Sequence, residues 1–109
     1  MQPRDVVIVS ACRIAIGKFQ GQFKDVPARE LAITAGKEAI RRAGVDINTI
    51  DEIVMGECYT AMQGSLPARQ VSMRIGLPIE SSAVTVNQNC ASGMRALEIA
   101  CNNIQLGKT

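Results

Sequence analysis

Apolar positions along the chain follow two rhythms, and the switches between them lay out its elements. Residues 6–12, Val-Val-Ile-Val-Ser-Ala-Cys, form a continuous apolar run rich in β-branched side chains, the pattern of a strand covered on both faces. Leu31, Ala32, Ala35, Ala39, Ile40 and Ala43 recur at three- and four-residue spacing and predict a helix. Asp25 can cap it, Pro27 is tolerated in its opening turn, and Gly44 ends it. Its other face, Lys37, Glu38, Arg41 and Arg42, reads as solvated, and its alanines imply close packing against a sheet. Residues 46–50 lead into a second strand, Glu52–Gly56. A loop bearing Gly64 and Ser65 precedes a second helix from Pro67, with Ala68, Val71 and Ile75 on one side and Gly76 and Pro78 as its stop. Val84 and Val86 alternate with Thr85 and Asn87, the period-two signature of a third strand. Met94, Leu97, Cys101 and Ile104 then mark one face of a third helix, and Gly107 closes the chain.

The predicted order is therefore β-α-β-α-β-α, with spacings that require parallel strands and helical crossovers, an α/β architecture. The polar corner Asn87-Gln88-Asn89 delivers Cys90 to the first turn of the third helix, beyond the carboxyl end of a strand. Open α/β sheets place ligand sites on that edge. A helix opening also carries unpaired N–H groups and a positive dipole end, which favour a thiolate. Small residues, Ala91, Ser92 and Gly93, leave clearance around it. Two readings of Cys90 stay open on these grounds: a nucleophile, or a small side chain filling a gap.

Composition narrows the field. With 109 residues the chain is at most one small domain, and Phe19, Phe23 and Tyr59 are its only aromatics, so its core is expected to be thin. A net charge of +2 with both signs interspersed and no basic run argues against a nucleic-acid partner. No apolar run approaches a membrane span, and residues 1–5 carry no signal-peptide pattern, so a cytoplasmic location is expected. The four cysteines, Cys12, Cys58, Cys90 and Cys101, lie far apart without a C-x-x-C pair, and the chain has no histidine. Neither a zinc site nor a disulfide framework is expected, and Cys12, Cys58 and Cys101 read as small hydrophobes. Gly17 and Gly21 fit neither a Walker loop nor a dinucleotide fingerprint. No metal or resident cofactor is expected. Acyl chemistry at a cysteine normally draws on a histidine as base and acid. Either Cys90 is no nucleophile, or its partners lie on polypeptide outside this sequence.

The segment Val86-Asn87-Gln88-Asn89-Cys90-Ala91-Ser92-Gly93-Met94-Arg95-Ala96 resembles the active-site stretch of the thiolases, VNxxCASGMxA. Three further stretches agree in order and spacing. Val7 to Cys12 with Arg13 and Gly17-Lys18-Phe19 is similar to the family's opening strand and R-T-P-x-G-x-F segment. Pro27-Ala28-Arg29-Glu30-Leu31 resembles its first helix start, and Leu66-Pro67-Ala68-Arg69-Gln70 its G-Q-N-P-A-R-Q segment. Departures are mild: Ile14-Ala15 stands for Thr-Pro, and Ser65-Leu66 for Gln-Asn.

The resemblance implies a thiolase-like fold and two-step acyl transfer from CoA thioesters. Cys90 would attack an acyl-CoA and become acylated, its backbone N–H joining an oxyanion hole. The enolate of a second acetyl-CoA would then take the acyl group; in reverse, CoA would cleave a 3-ketoacyl-CoA. Homodimers or homotetramers are implied as well. The family's catalytic histidines, its second catalytic cysteine and most of its CoA-binding surface lie beyond the matched region. Residues 1–109 are thus expected to be an incomplete N-terminal thiolase-like domain, inactive alone. Ketoacyl synthases and hydroxymethylglutaryl-CoA synthases, which also hold a cysteine at a helix start, are the nearest alternatives. A non-catalytic interaction subunit is the alternative from another class.

Overall fold

A computed structural model describes residues 3–109; of the N-terminal stretch read for a signal pattern, Met1 and Gln2 lie outside it. The elements are α1 (Ala28–Ala43), β1 (Glu52–Gly56), α2 (Pro67–Ile75), β2 (Ser82–Val86) and α3 (Ser92–Gln105), with a single 3-10 turn at Ile47–Thr49. β1 and β2 pair in parallel, Glu52 opposite Ser82 through Gly56 opposite Val86. The α/β class with helical crossovers between parallel strands is the one the spacing predicts.

The sheet is covered on both sides. The Thr85 hydroxyl accepts a hydrogen bond from the Ala68 amide at 3.0 Å, so β2 caps the opening of α2, and the Ile53, Met55 and Thr85 side of the sheet faces that helix. On the other side Asn103 of α3 donates to the Glu52 carboxylate at 2.8 Å. α1 forms an outer layer on α2. The fully enclosed side chains are few, chiefly Ile33, Ala68, Val71, Leu77 and Ala96, and they lie mostly between α1, α2 and the sheet. The core is thin, as the composition implies.

Helix punctuation follows the local rules. Gly44 closes α1 in the left-handed region (φ 67°), its N–H reaching the Ile40 and Arg41 carbonyls. Pro67 occupies the first turn of α2, and Gly76 ends that helix at φ 103°. Asp46 turns the chain into β1 by accepting the Asn48 amide at 2.9 Å.

Four expectations need correction. Residues 6–12 form no strand: they run unpaired beside α1, where the Cys12 thiol donates to the Ala35 carbonyl at 3.1 Å. A strand exists only through its ladder, and among the described residues none pairs with this run, which leaves Val7, Ile8 and Val9 exposed. α1 packs on α2 rather than on a sheet, because its small stripe accommodates a helix equally well; Gly36 lies against Ile75, and Glu30 meets Arg74 at 2.9 Å. Asp25 caps nothing, since Pro27 is itself the N-cap residue of α1. Finally, α3 lays the Ser92–Ala96–Asn103 stripe on the sheet and turns Met94 and Leu97 outward. Close approach to β1 favours small side chains over the larger apolar set.

Candidate functional site

β2 ends at Val86, and the chain must reverse sharply to enter α3 at Ser92. Five residues make the reversal, and a set of short hydrogen bonds holds it. The Asn87 side chain accepts the Asn89 amide at 3.0 Å through its carbonyl oxygen, an Asx turn. Its Nδ2 donates to the Cys58 carbonyl at 3.1 Å, tying the corner to the segment that follows β1. Asn89 adopts φ 50°, in the left-handed region that asparagine tolerates better than most residues.

Ser92, only 4% exposed, locks the inner side of the turn. Its hydroxyl accepts the Gln88 amide at 2.8 Å and donates to the Asn89 carbonyl at 2.6 Å, while its own amide reaches that same carbonyl at 3.1 Å. The Ala91 amide donates to the Gln88 carbonyl at 3.0 Å. The helix proper then begins, with the Arg95 amide bonding the Ala91 carbonyl at 2.9 Å.

Cys90 stands at the outer tip of this turn. It is exposed and its thiol is free. The sequence placed it inside the first turn of the helix; instead it precedes Ala91, the N-cap residue, because the left-handed Asn89 and the Ser92 clasp keep the backbone out of helical geometry until Ser92. It stays within one turn of the helix start and beyond the carboxyl end of β2. Cys12 and Cys101 are half-buried, and Cys58 begins the loop after β1 as expected.

Beneath the corner, β1 ends on Gly56. A Cβ there would lie 2.5 Å from the Ser92 carbonyl carbon and oxygen and 2.6 Å from the Gly93 nitrogen, so only glycine lets α3 settle on the strand end. Along this contact runs an open groove of about 540 Å³ bordered by Val54, Gly56, Gly93, Ala96, Leu97 and Ile104. Glu57, the next residue, has both carboxylate oxygens buried without a hydrogen-bond partner among the described residues.

Sequence reasoning thus found Cys90 and missed its supports. In the sequence Ser92 reads as clearance, although a serine three positions after an asparagine turn is a common way to hold such a turn. Gly56 carried a readable signal, a glycine closing an apolar strand, which marks close backbone approach. Among the described residues no group of three metal-ligating side chains converges, and no helix is long and apolar enough to cross a membrane.

Comparison with known proteins bears on the same segment. Residues 6–109 match the family model described as the thiolase N-terminal domain. An acetyl-CoA acetyltransferase of Cupriavidus necator is 46% identical over 103 residues, which cover 94% of this chain and 26% of that protein. One of Clostridioides difficile is 48% identical over 93 residues, covering 85% of this chain and 87% of that protein. Among solved structures, acetyl-CoA acetyltransferase from Syntrophomonas wolfei superposes with a TM-score of 0.90 at 53% identity, over 94% of this chain and 26% of that one. A thiolase from Ascaris suum, solved in complex with coenzyme A, gives 0.94 at 36% identity, over 95% of this chain and 27% of that one. The chain therefore spans about a quarter of the length of most of these relatives. A match from residue 6 to residue 109, on a fold that superposes this closely, shows that the chain belongs to the thiolase family.

Proposed function

We propose that this chain supplies the acyl-accepting cysteine of a thiolase-type acyl-CoA acyltransferase. The observation that carries the reading is Cys90 itself: a free, exposed thiol at the tip of a hydrogen-bonded turn, on the sheet edge where α/β folds receive ligands. In the proposed reaction the Cys90 thiolate attacks the thioester carbonyl of an acyl-CoA. The tetrahedral oxyanion collapses, CoA leaves as its thiolate, and the acyl group remains on Cys90 as a thioester. The α-carbanion of a second acetyl-CoA then attacks that thioester, releasing the Cys90 thiolate and a 3-ketoacyl-CoA. The degradative direction runs the same steps backward, with CoA as the attacking thiol.

The proton leaving Cys90, and the one removed from the second acetyl-CoA, need a base that a chain without histidine does not readily provide. We therefore assign residues 1–109 as an incomplete catalytic domain whose acid and base come from other polypeptide. The outward apolar stripe of α3, with Met94 76% and Leu97 49% exposed, supports further protein covering this side. In this reading the working enzyme is a cytoplasmic homodimer or homotetramer that uses CoA thioesters as substrates and holds no resident cofactor or metal.

Incubating the purified chain with acetyl-CoA at alkaline pH, where an ordinary thiol ionises without help, tests the assignment. Intact mass and peptide mapping should find acetylation at Cys90 ahead of Cys12, Cys58 and Cys101, and none at that position in Cys90→Ser. Equal labelling of all four thiols would overturn the nucleophile assignment. Multiple-turnover acetoacetyl-CoA formation by the chain alone would overturn the need for outside groups.

A further inference from the structure

We infer that Ser92 is a positioning residue that aims the backbone N–H of Cys90 at the incoming thioester oxygen, with Asn87 as the second clasp of the same peptide turn. The inference rests on the proposed role of Cys90. In a planar trans peptide the C=O and the following N–H point in opposite directions. The Asn89 carbonyl is drawn toward the helix start by two donors of one residue, the Ser92 hydroxyl at 2.6 Å and the Ser92 amide at 3.1 Å. The other half of that peptide, the Cys90 N–H, is thereby turned away from the helix start and outward. Asn87 holds the preceding peptide by accepting the Asn89 amide at 3.0 Å, and anchors it to the Cys58 carbonyl at 3.1 Å. Both clasps bracket Asn89, whose left-handed conformation has no other side-chain support among the described residues.

The Ser92 hydroxyl touches no reacting atom in this arrangement. It fixes the plane of the peptide that carries the donor, and a donor preset on a developing oxyanion lowers the barrier without reorganising during reaction. Ser92 is also the first residue of α3 and nearly enclosed, so the peptide plane is tied to the helix and, through Gly56, to the end of β1.

A comparison of two reactions at one thiol tests this. Acetyl transfer from acetyl-CoA passes through an oxyanion, whereas alkylation by iodoacetamide does not. Ser92→Ala should slow acetylation of Cys90 by at least about tenfold, less than the 10²–10³ typical of deleting an oxyanion donor outright. Its alkylation rate should stay within about twofold of the parent chain, since displacement at carbon needs no such donor. Asn87→Ala, at an exposed position that opens no buried cavity, should act in the same sense but more weakly, and Ser92→Thr should restore acetylation. If both rates change together in Ser92→Ala and Asn87→Ala, the residues only brace the fold and the inference fails. If neither rate changes, it fails while Cys90 keeps its assigned role. If the parent chain shows no preference for acetylation at Cys90, both readings fall.

Discussion

Replacing Gly56 with alanine puts the contact beneath Cys90 under direct strain. The added methyl would stand 2.5 Å from two atoms of the Ser92 carbonyl and 2.6 Å from the Gly93 nitrogen. Carbon contacts are comfortable at about 3.5–4.0 Å, so the two backbones must part by roughly 1 Å. All three atoms are main chain, and no rotamer change can absorb the shift. Overpacking of this kind costs about 1–3 kcal/mol, while the lost flexibility of glycine in the unfolded chain returns about 0.4–1 kcal/mol. A net loss of about 1–2 kcal/mol is expected, or roughly 4–15 °C in melting temperature for a domain of this size. The displacement also lifts the start of α3, which carries the Ser92 clasp, so acetylation of Cys90 should fall in the same variant. Gly36→Ala supplies the control. Its new Cβ would lie equally close, 2.5 Å, to Ile75 Cδ1, but that atom is the far end of a side chain that can rotate away. Alanine is moreover favoured over glycine inside a helix by about 1 kcal/mol, so this variant should be neutral or stabilised. Thermal and denaturant melts followed by far-ultraviolet circular dichroism measure both. A Gly56→Ala chain that melts within about 2 °C of the parent, a shift of well under 1 kcal/mol, would refute the close-contact argument.

Other consequences are simpler. Glu38 bonds both Arg41 and Arg42 at 2.6–2.8 Å, and these hydrogen bonds hold its carboxyl at about 2, below the ordinary 4.5. A depressed folded value means the stabilisation is fully present above pH 4.5 and lost as pH falls through about 2, so the melting difference between the parent and Glu38→Gln should vanish across that window. The pair is exposed, so the difference should also shrink in molar salt. Asn89→Gly keeps access to positive φ and should preserve stability, whereas Asn89→Val should cost about 1–2 kcal/mol in a urea titration; equal stability of the two would argue against the left-handed turn. Glu57→Met removes two buried oxygens that have no hydrogen-bond partner among the described residues and should raise the urea midpoint by about 1 kcal/mol equivalent. A lowered midpoint would mean that the carboxylate has an anchor in solution.

What the sequence disclosed and what it withheld divide along the range of the forces involved. Glu52–Gly56, Pro67–Ile75 and Ser82–Val86 are legible because period and punctuation are local: alternation for strands, proline at a helix opening, glycine at its end. The resemblance located Cys90 for the same reason, since a motif is a string of neighbours. Residues 6–12 were misread because β-branched residues report suitability for a ladder and not the presence of a partner. The face of α1 was identified broadly, but periodicity says which side is buried and nothing about whether a helix or a sheet lies opposite. Ile33, the one fully buried residue of α1, falls outside the apolar set the spacing selected.

The supports of Cys90 were hidden for a further reason, which bears on how this site is built. Met94 and Leu97 are two of the four largest apolar side chains of α3, beside Ile99 and Ile104, and area alone would bring them down onto the sheet. The structure instead brings down Ser92 and Ala96, because the helix start must come close enough to Gly56 for its backbone to touch the strand. That choice leaves large apolar side chains in solvent, which is unfavourable for this chain by itself. In return the first residue of the helix reaches back to the Asn89 carbonyl and fixes the peptide that carries the Cys90 N–H. The helix is thus oriented for the corner at the expense of its own burial. The same tilt leaves Met94 and Leu97 exposed, so positioning of the thiol and exposure of the apolar stripe are two results of one close contact at Gly56.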